Sequence, residues 1–195
     1  MRRPSSRQRR LVILTLTLLA FGIAFYGGSR YQGRSQPAPT ISGVAIYPPS
    51  PLPDLPDRDD APLHRAELSG HWSLLMLDPH AGETRSLALV RLLQVHNHLA
   101  SDPELQKRLA YLYLPRRLEQ AVQEAIDGLD GNVHALSGNA QQLDETFRLF
   151  GVETDADSAA LYLIGPQTRL HALFTPDQDI ATIAEDITTL VTSEP

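Results

Sequence analysis

The side chains that could do chemistry in this chain are histidines, carboxylates and serines, because its 195 residues include no cysteine. That absence excludes disulfides, thiolate nucleophiles, iron–sulfur clusters and thiol redox motifs. Imidazole is a common metal ligand, so the seven histidines are the candidates for a metal site. His96 and His98 are separated by about 200° around a predicted helix, so they cannot bind one ion from one face.

Four other histidines fall on or beside predicted strands. His71 and His80 flank the first strand of the globular part, and Met76 lies within it, where the alternation of a buried strand predicts a core position. His134 and His171 fall on strand positions and are predicted to be surface or rim residues. No pair of these histidines has the spacing of a metal motif.

Hydrolytic chemistry has no recognisable motif in this sequence. The serines considered as nucleophiles are Ser86, Ser137 and Ser158. The sequence contains no Gly-x-Ser-x-Gly, no His-Glu-x-x-His and no glycine-rich phosphate loop. Asp155 and Asp157 could bind a cation, although a solvated loop is the simpler interpretation, and Asp144 with Glu145 predicts a charged helix face. We therefore expect no enzymatic activity.

Charge divides the chain into two unequal parts. Residues 1–34 carry seven arginines and no acidic residue, whereas residues 35–195 carry 10 basic and 23 acidic side chains, a net charge of −13. An acidic body argues against nucleic acid as a partner, because phosphate binding needs a basic face.

The sequence predicts a single membrane anchor near the N-terminus. Residues 11–28 are eighteen uncharged and mostly apolar positions, close to the roughly 20 that a spanning helix needs. Five arginines lie in residues 1–10, which the positive-inside rule predicts to be a cytoplasmic basic tail. The globular part would then lie on the periplasmic face of the inner membrane. A cleaved signal peptide is the alternative, but Tyr26-Gly27-Gly28-Ser29 is a poor cleavage site.

A proline-rich linker, residues 29–62, separates the anchor from the globular part. Its composition disfavours helices and central strands. The linker could be a spacer or an extended arm that packs on the domain, and the β-forming residues Ile41 to Tyr47 favour partial packing.

Residues 63–195 have an apolar period that alternates between strand and helix, which is typical of an α/β layer fold. The predicted strands are residues 72–77, 109–114, 133–136, 159–164 and 169–174. The predicted helices are residues 87–99, 117–126, 139–150 and 177–191. This order predicts a thioredoxin-like fold with an insertion, in which helices flank a central mixed sheet.

Four segments resemble successive landmarks of one family. They are LPDL at residues 52–55, LSGHWSLL at 68–75, ALSG at 135–138 and DSAALYLIGP at 157–166. Their order and spacing are similar to those of the Sco/SenC family, over about residues 41–191. This resemblance implies a membrane-anchored, thioredoxin-like protein related to those that help insert copper into cytochrome c oxidase.

The residues that bind copper in that family are absent here. At family spacing, the two cysteines of the Cys-x-x-x-Cys motif fall near Gly82 and Ser86, and the family histidine falls at Asp157. We therefore expect no cofactor and no metal site. His80 is a weak candidate ligand, because its loop corresponds to the metal loop of the family.

The resemblance and the missing ligands together imply a non-catalytic, membrane-anchored Sco-like protein that acts by protein binding in respiratory cytochrome c oxidase assembly. The expected partners are oxidase subunits or assembly factors. The candidate partner-binding rim consists of His80, Gly82, Glu83, Arg85 and Asp157. Two alternatives remain, a histidine-based periplasmic copper carrier and a structural membrane protein of unrelated role.

Overall fold

The computed structural model of the chain describes residues 40–56, 62–63, 68–79, 87–129, 132–152 and 160–193. The predicted basic tail, residues 1–10, and the predicted anchor, residues 11–28, lie outside these ranges. Within the ranges themselves, no helix has the length and apolar character needed to cross a membrane.

The described residues form eight strands and five helices. The strands are β1 (Val44–Pro51), β2 (Leu55–Pro56), β3 (Pro62–Leu63), β4 (Trp72–Asp78), β5 (Leu109–Pro115), β6 (Val133–Ala135), β7 (Leu161–Gly165) and β8 (Arg169–Phe174). The helices are α1 (Leu87–Leu99), α2 (Pro103–Arg108), α3 (Gln120–Asp127), α4 (Ala140–Leu149) and α5 (Ile180–Ser193). The succession from β4 to α5 follows the predicted order, with α2 as an addition.

Six of the strands form one mixed sheet in the order β1-β8-β7-β4-β5-β6. The pairs β4–β5 and β5–β6 are parallel, and every other pair in this sheet is antiparallel. β2 and β3 form a separate two-stranded sheet. All seven residues of β4 are buried, as expected for a central strand covered on both faces.

Two hydrophobic cores cover the two faces of the sheet. On the first face, Trp72, Leu74 and Met76 pack with the apolar sides of α1 and α5. On the second face, Leu75 and Leu77 pack with α4 and with residues of the proline-rich segment. Met76 is fully buried, so its predicted core position is confirmed.

The proline-rich segment contributes both backbone and side chains to the fold. β1 pairs antiparallel with β8 at the edge of the sheet, from Val44 beside Leu173 to Pro51 beside Arg169. Its prolines lack the N–H groups that a further strand would need, which suits an edge strand. Residues 40–56 therefore pack on the domain as an arm, the second of the two predicted roles.

A carboxylate of α5 fixes the start of this arm. Asp186 Oδ2 accepts hydrogen bonds from the backbone N–H groups of Ser42 and Gly43, at 2.9 and 3.1 Å, and from the Ser42 hydroxyl at 2.5 Å. A Cβ at Gly43 would lie 2.7 Å from the ring of Phe174, so only glycine allows this close approach. The arm therefore joins the domain at one defined point.

Helix α1 has the predicted bounds but a shifted buried face. The predicted core stripe is Leu89, Leu92, Leu93, His96 and Leu99. Leu92 and Leu99 are buried, whereas the other three are only partly buried. Ala88 and Val95 are buried as well. The difference is a rotation of the apolar stripe, because the helix packs against both the sheet and α5.

Helix α2 was not predicted, although its start has a recognisable signal. Asp102 caps it by accepting from the N–H groups of Glu104 and Leu105, both at 3.1 Å, and Pro103 opens its first turn. Six residues are too few to show an apolar period, so the cap alone marks this helix in the sequence.

Candidate functional site

The carboxyl ends of the parallel strands define one edge of the sheet, which we call the carboxyl edge. Asp78 at the end of β4 is in register with Pro115 at the end of β5, and Tyr113 of β5 is in register with Ala135 of β6. The antiparallel β7 begins at this edge, since Leu161 pairs with Met76 of β4. Open α/β sheets bind ligands at the carboxyl ends of their strands, so this edge is the candidate site.

The predicted rim residues His80, Gly82, Glu83, Arg85 and Asp157 lie outside the described residues. The structure does describe residues that flank them. Pro79 is buried directly after β4, and the Leu77 N–H donates to the carbonyl of Ala160 at 3.3 Å. The predicted rim therefore stays a prediction, with its flanking residues placed at the carboxyl edge.

A buried polar pair lies at this edge, between the ends of β4 and β5. The Tyr113 hydroxyl donates a 2.7 Å hydrogen bond to Asp78 Oδ2. Asp78 is 4% exposed and Tyr113 is fully buried. A buried polar side chain needs a hydrogen-bond partner, so the phenol and the carboxyl group reduce each other's cost of burial.

Sequence reasoning missed this pair, because it used Asp78 only to end a strand. The signal that could have found it is alternation. Asp78 continues the positions of Trp72, Leu74 and Met76 on the first face of the sheet, and Tyr113 shares that face on the neighbouring strand.

Hydrogen bonds also fix the residues after β5. The Arg116 N–H donates to the Asp78 carbonyl at 2.9 Å, and the Arg116 guanidinium forms a 2.5 Å ion pair with Asp144 of α4. This exposed pair agrees with the predicted charged face of α4. It contributes on the order of 0–1 kcal/mol to stability, so its role is to position the chain after β5.

The ALSG segment brings the arm to the carboxyl edge. A Cβ at Gly138 would lie 2.7 Å from Cβ of Pro56, so the absence of a side chain at residue 138 lets the arm pack there. Leu136 extends the edge through an N–H bond to the Tyr113 carbonyl at 2.8 Å. The carboxyl edge is therefore bordered by the arm as well as by the strand ends.

The described histidines do not gather at this edge. His71 is exposed at the opposite end of β4, and His98 and His134 are exposed on α1 and β6. His96 packs edge-on against Tyr111, with ring centroids 4.8 Å apart. Among the residues that the structure describes, no three histidine, aspartate or glutamate side chains are grouped to hold a metal ion.

The prediction that His171 is a surface or rim residue is wrong. His171 is 7% exposed and packs edge-on against Trp72, with ring centroids 4.9 Å apart. The pairing of β7 with β8 shifts register at this point, between Leu163 and Ile164. A bulge inserts a residue and redirects the side chains around it, which period-two reasoning cannot anticipate.

Tyr111, on the first face of the sheet, has a buried hydroxyl without a hydrogen-bond partner among the described residues. Burial raises the pKa of Tyr111, and it raises the pKa of Tyr162 to about 12. Tyr162 differs because its hydroxyl donates to the Phe150 carbonyl at 2.8 Å. The two tyrosines are therefore a matched pair for measuring what a buried hydroxyl costs.

We expect Tyr111→Phe to raise the free energy of unfolding by about 1 kcal/mol, because it removes an unsatisfied buried polar group. Unfolded tyrosines ionise near pH 10, whereas the buried ones stay protonated, so stability falls from about pH 10 to 12. Tyr111→Phe should reduce that slope by up to about 1.4 kcal/mol per pH unit. Urea unfolding at pH 7 and across pH 9–11 measures both effects.

Tyr162→Phe is the control for this prediction. It should lower stability at pH 7 by about 1 kcal/mol, because it leaves the Phe150 carbonyl without its donor. A loss of stability in Tyr111→Phe as large as that in Tyr162→Phe would contradict the assignment of an unpaired hydroxyl.

The class of protein that this fold defines is thioredoxin-like. No family model matches the sequence, and no curated protein matches it. Among solved structures, the thioredoxin domain of a thiol-disulfide oxidoreductase from Bacteroides vulgatus has a TM-score of 0.50 at 9% identity, covering 77% of this chain and 97% of that domain. The predicted α/β fold, a mixed sheet flanked by helices, is confirmed.

Within that class, the solved structures that resemble the chain include several Sco proteins. Yeast Sco1 has a TM-score of 0.61 at 19% identity, covering 77% of this chain and 99% of that chain. Its copper-bound form has a TM-score of 0.58 at 18% identity, covering 80% and 96%. BsSco, described as a member of the Sco family of cytochrome c oxidase assembly proteins, has a TM-score of 0.56 at 11% identity, covering 78% and 98%. The predicted resemblance to the Sco/SenC family is confirmed at the level of the fold.

Proposed function

We propose that this chain is a non-catalytic, membrane-anchored relative of the Sco proteins that acts by binding partners during cytochrome c oxidase assembly. The observation that supports the proposal is a Sco-like fold on a chain without a single cysteine. Loss of both thiols removes dithiol chemistry and the thiolate ligands of copper, while leaving a surface that can bind a protein.

The carboxyl edge supports this proposal from the described residues. Asp78 and Tyr113 satisfy each other inside the fold, and the ends of β4 and β5 are buried. Hydrogen bonds that fix the strand ends preorganise this edge, and a preorganised surface loses less entropy on association. We place the partner contact on the predicted rim, His80, Gly82, Glu83, Arg85 and Asp157.

The remaining parts of the proposal rest on the sequence. Residues 11–28 serve as a single inner-membrane anchor, with the basic tail in the cytoplasm and the domain in the periplasm. The partners are subunits or assembly factors of the oxidase, which lie in the same membrane. Neither an enzymatic step nor a bound cofactor is part of the proposed role.

Crosslinking of the full chain in its native membranes tests this function. We expect oxidase subunits or assembly factors to be crosslinked and co-purified from detergent. The paired charge swap Glu83→Lys with Arg85→Glu should reduce the yield at least fivefold, because it reverses the rim pattern at constant net charge.

A matched control is available on α2. Glu104 and Lys107 form an exposed ion pair of 2.8 Å, and swapping them to Glu104→Lys with Lys107→Glu also leaves the net charge unchanged. This control should crosslink like the unmodified chain. Recovery of no oxidase component, or equal losses in both swaps, would overturn the proposed function.

A deletion strain separates binding from copper delivery. Without the gene, oxidase haem and copper content should fall, and added copper in the medium should not restore them. Two results together would instead support the histidine-based carrier. Added copper would restore the oxidase, and the full chain would bind copper that the His80→Ala variant does not bind. Unchanged oxidase content would favour a structural protein of unrelated role.

A further inference from the structure

A groove runs between the arm and helix α4 on the second face of the sheet. Its volume is about 400 Å³. Residues 53–56 of the arm form one wall, and Glu145, Thr146 and Leu149 line the other. This volume lies within the range of protein ligand pockets, roughly 300–1,000 Å³.

The groove has an apolar component that the core does not use. Leu143 and Phe147 of α4 are buried against the sheet, whereas Leu149 is 50% exposed. The half-buried Pro53 adds apolar surface on the side of the arm. A half-exposed leucine facing a proline wall is suited to receive an apolar side chain.

The described residues that line the groove include acidic but no basic side chains. They include Asp54 and Glu145, and no lysine, arginine or histidine is among them. The Glu145 carboxylate makes no hydrogen bond or ion pair within the part of the chain that the structure describes, unlike that of the adjacent Asp144, which pairs with Arg116. A carboxylate beside an apolar wall favours a cationic side chain with an apolar neighbour.

We propose that this groove binds a basic segment of a partner protein, with an apolar side chain against Leu149 and an arginine or lysine beside Glu145. A second copy of the chain is disfavoured, because residues 35–195 carry a net charge of −13 and two such bodies repel each other. The inference rests on the proposed function in that it names a binding surface and the chemistry of the partner.

A peptide-binding experiment on the full chain in uncharged maltoside micelles tests the groove. The probe is a fluorescein-labelled peptide of ten residues with three arginines around one leucine in a glycine–serine background. We expect saturable binding of one peptide per chain that weakens as salt is raised. Glu145→Lys and Leu149→Ser should each weaken it at least fivefold.

Controls elsewhere on the surface match each substitution. Glu124→Lys changes the net charge equally on the exposed face of α3, and Leu129→Ser alters a leucine that is 39% exposed. Both should change the affinity less than twofold. Equal weakening by test and control variants, or the absence of saturable binding, would overturn the proposal.

Two further measurements identify the occupant. A dimer seen by sedimentation and lost in Leu149→Ser would assign the groove to a second copy and overturn the partner assignment. Peptide binding without any oxidase crosslink would support the groove and reject only the proposed oxidase role.

Discussion

Leu55→Ala in the arm is expected to lower the free energy of unfolding by about 3 kcal/mol. Leu55 is 1% exposed and packs in the second core, although it belongs to a segment whose composition resembles a linker. Removing its side chain leaves a cavity beneath the sheet. The arm cannot move in to fill this cavity, because its prolines restrict its backbone. Urea unfolding of the full chain in detergent measures the loss.

An exposed leucine supplies the control for this result. Leu87 is 82% exposed at the start of α1, so Leu87→Ala should change stability by less than about 0.5 kcal/mol. If Leu55→Ala costs no more than Leu87→Ala, the arm is not part of the core. If Leu55→Ala lowers the free energy of unfolding by the expected amount, the arm belongs to the second core. A truncation at residue 63, the predicted start of the domain, would then remove part of that core.

Gly165→Ala at the end of β7 is expected to lower the free energy of unfolding by about 3 kcal/mol, because the space for its methyl group is already occupied. A Cβ at this position would lie 2.7 Å from Cδ2 of His171 and closer still to Nε2. The imidazole cannot easily move away, since it is buried edge-on against Trp72.

A second variant makes this prediction specific. His171→Ala alone should destabilise the fold by removing the contact with Trp72, but it opens the space that the new methyl group needs. In the His171→Ala background, Gly165→Ala should therefore cost less than about 1 kcal/mol. Additive losses in the double variant would show that the backbone at Gly165, and not the imidazole, sets the requirement for glycine.

Local patterns were sufficient for the elements from β4 onwards, except for α2. The apolar run of β4 ends at Asp78, and the hairpin of β7 and β8 surrounds a turn at residues 166–168. Asn139 and Gln142 form a capping box at the start of α4. In each case the deciding residues are neighbours in the sequence.

Contacts between distant parts of the chain could not be predicted in the same way. The burial of His171 depends on a register shift between two strands, and the Asp78–Tyr113 bond joins residues 35 positions apart. The hydrogen bonds from Ser42 to Asp186 span 144 positions. Composition alone left the role of the arm open, because proline content disfavours regular elements without showing what the chain packs against.

The polar pair at the carboxyl edge could not be predicted from the sequence. Strand order predicts that the ends of β4, β5 and β6 meet, and the structure brings them to one edge. The polar pair at that edge has no motif, because one aspartate and one tyrosine on adjacent strands are common in any sheet. Only the register of β4 against β5 brings these two side chains together.

The hydrogen bonds from Ser42 and Gly43 to Asp186 also determine how much chain is left between the domain and a membrane anchor. If residues 11–28 are the anchor, thirteen residues separate the anchor from this attachment point. A linker of this length spans at most about 45 Å when fully extended. A partner embedded in the same membrane would therefore meet the domain at a high effective concentration, so a weak contact would be sufficient for binding.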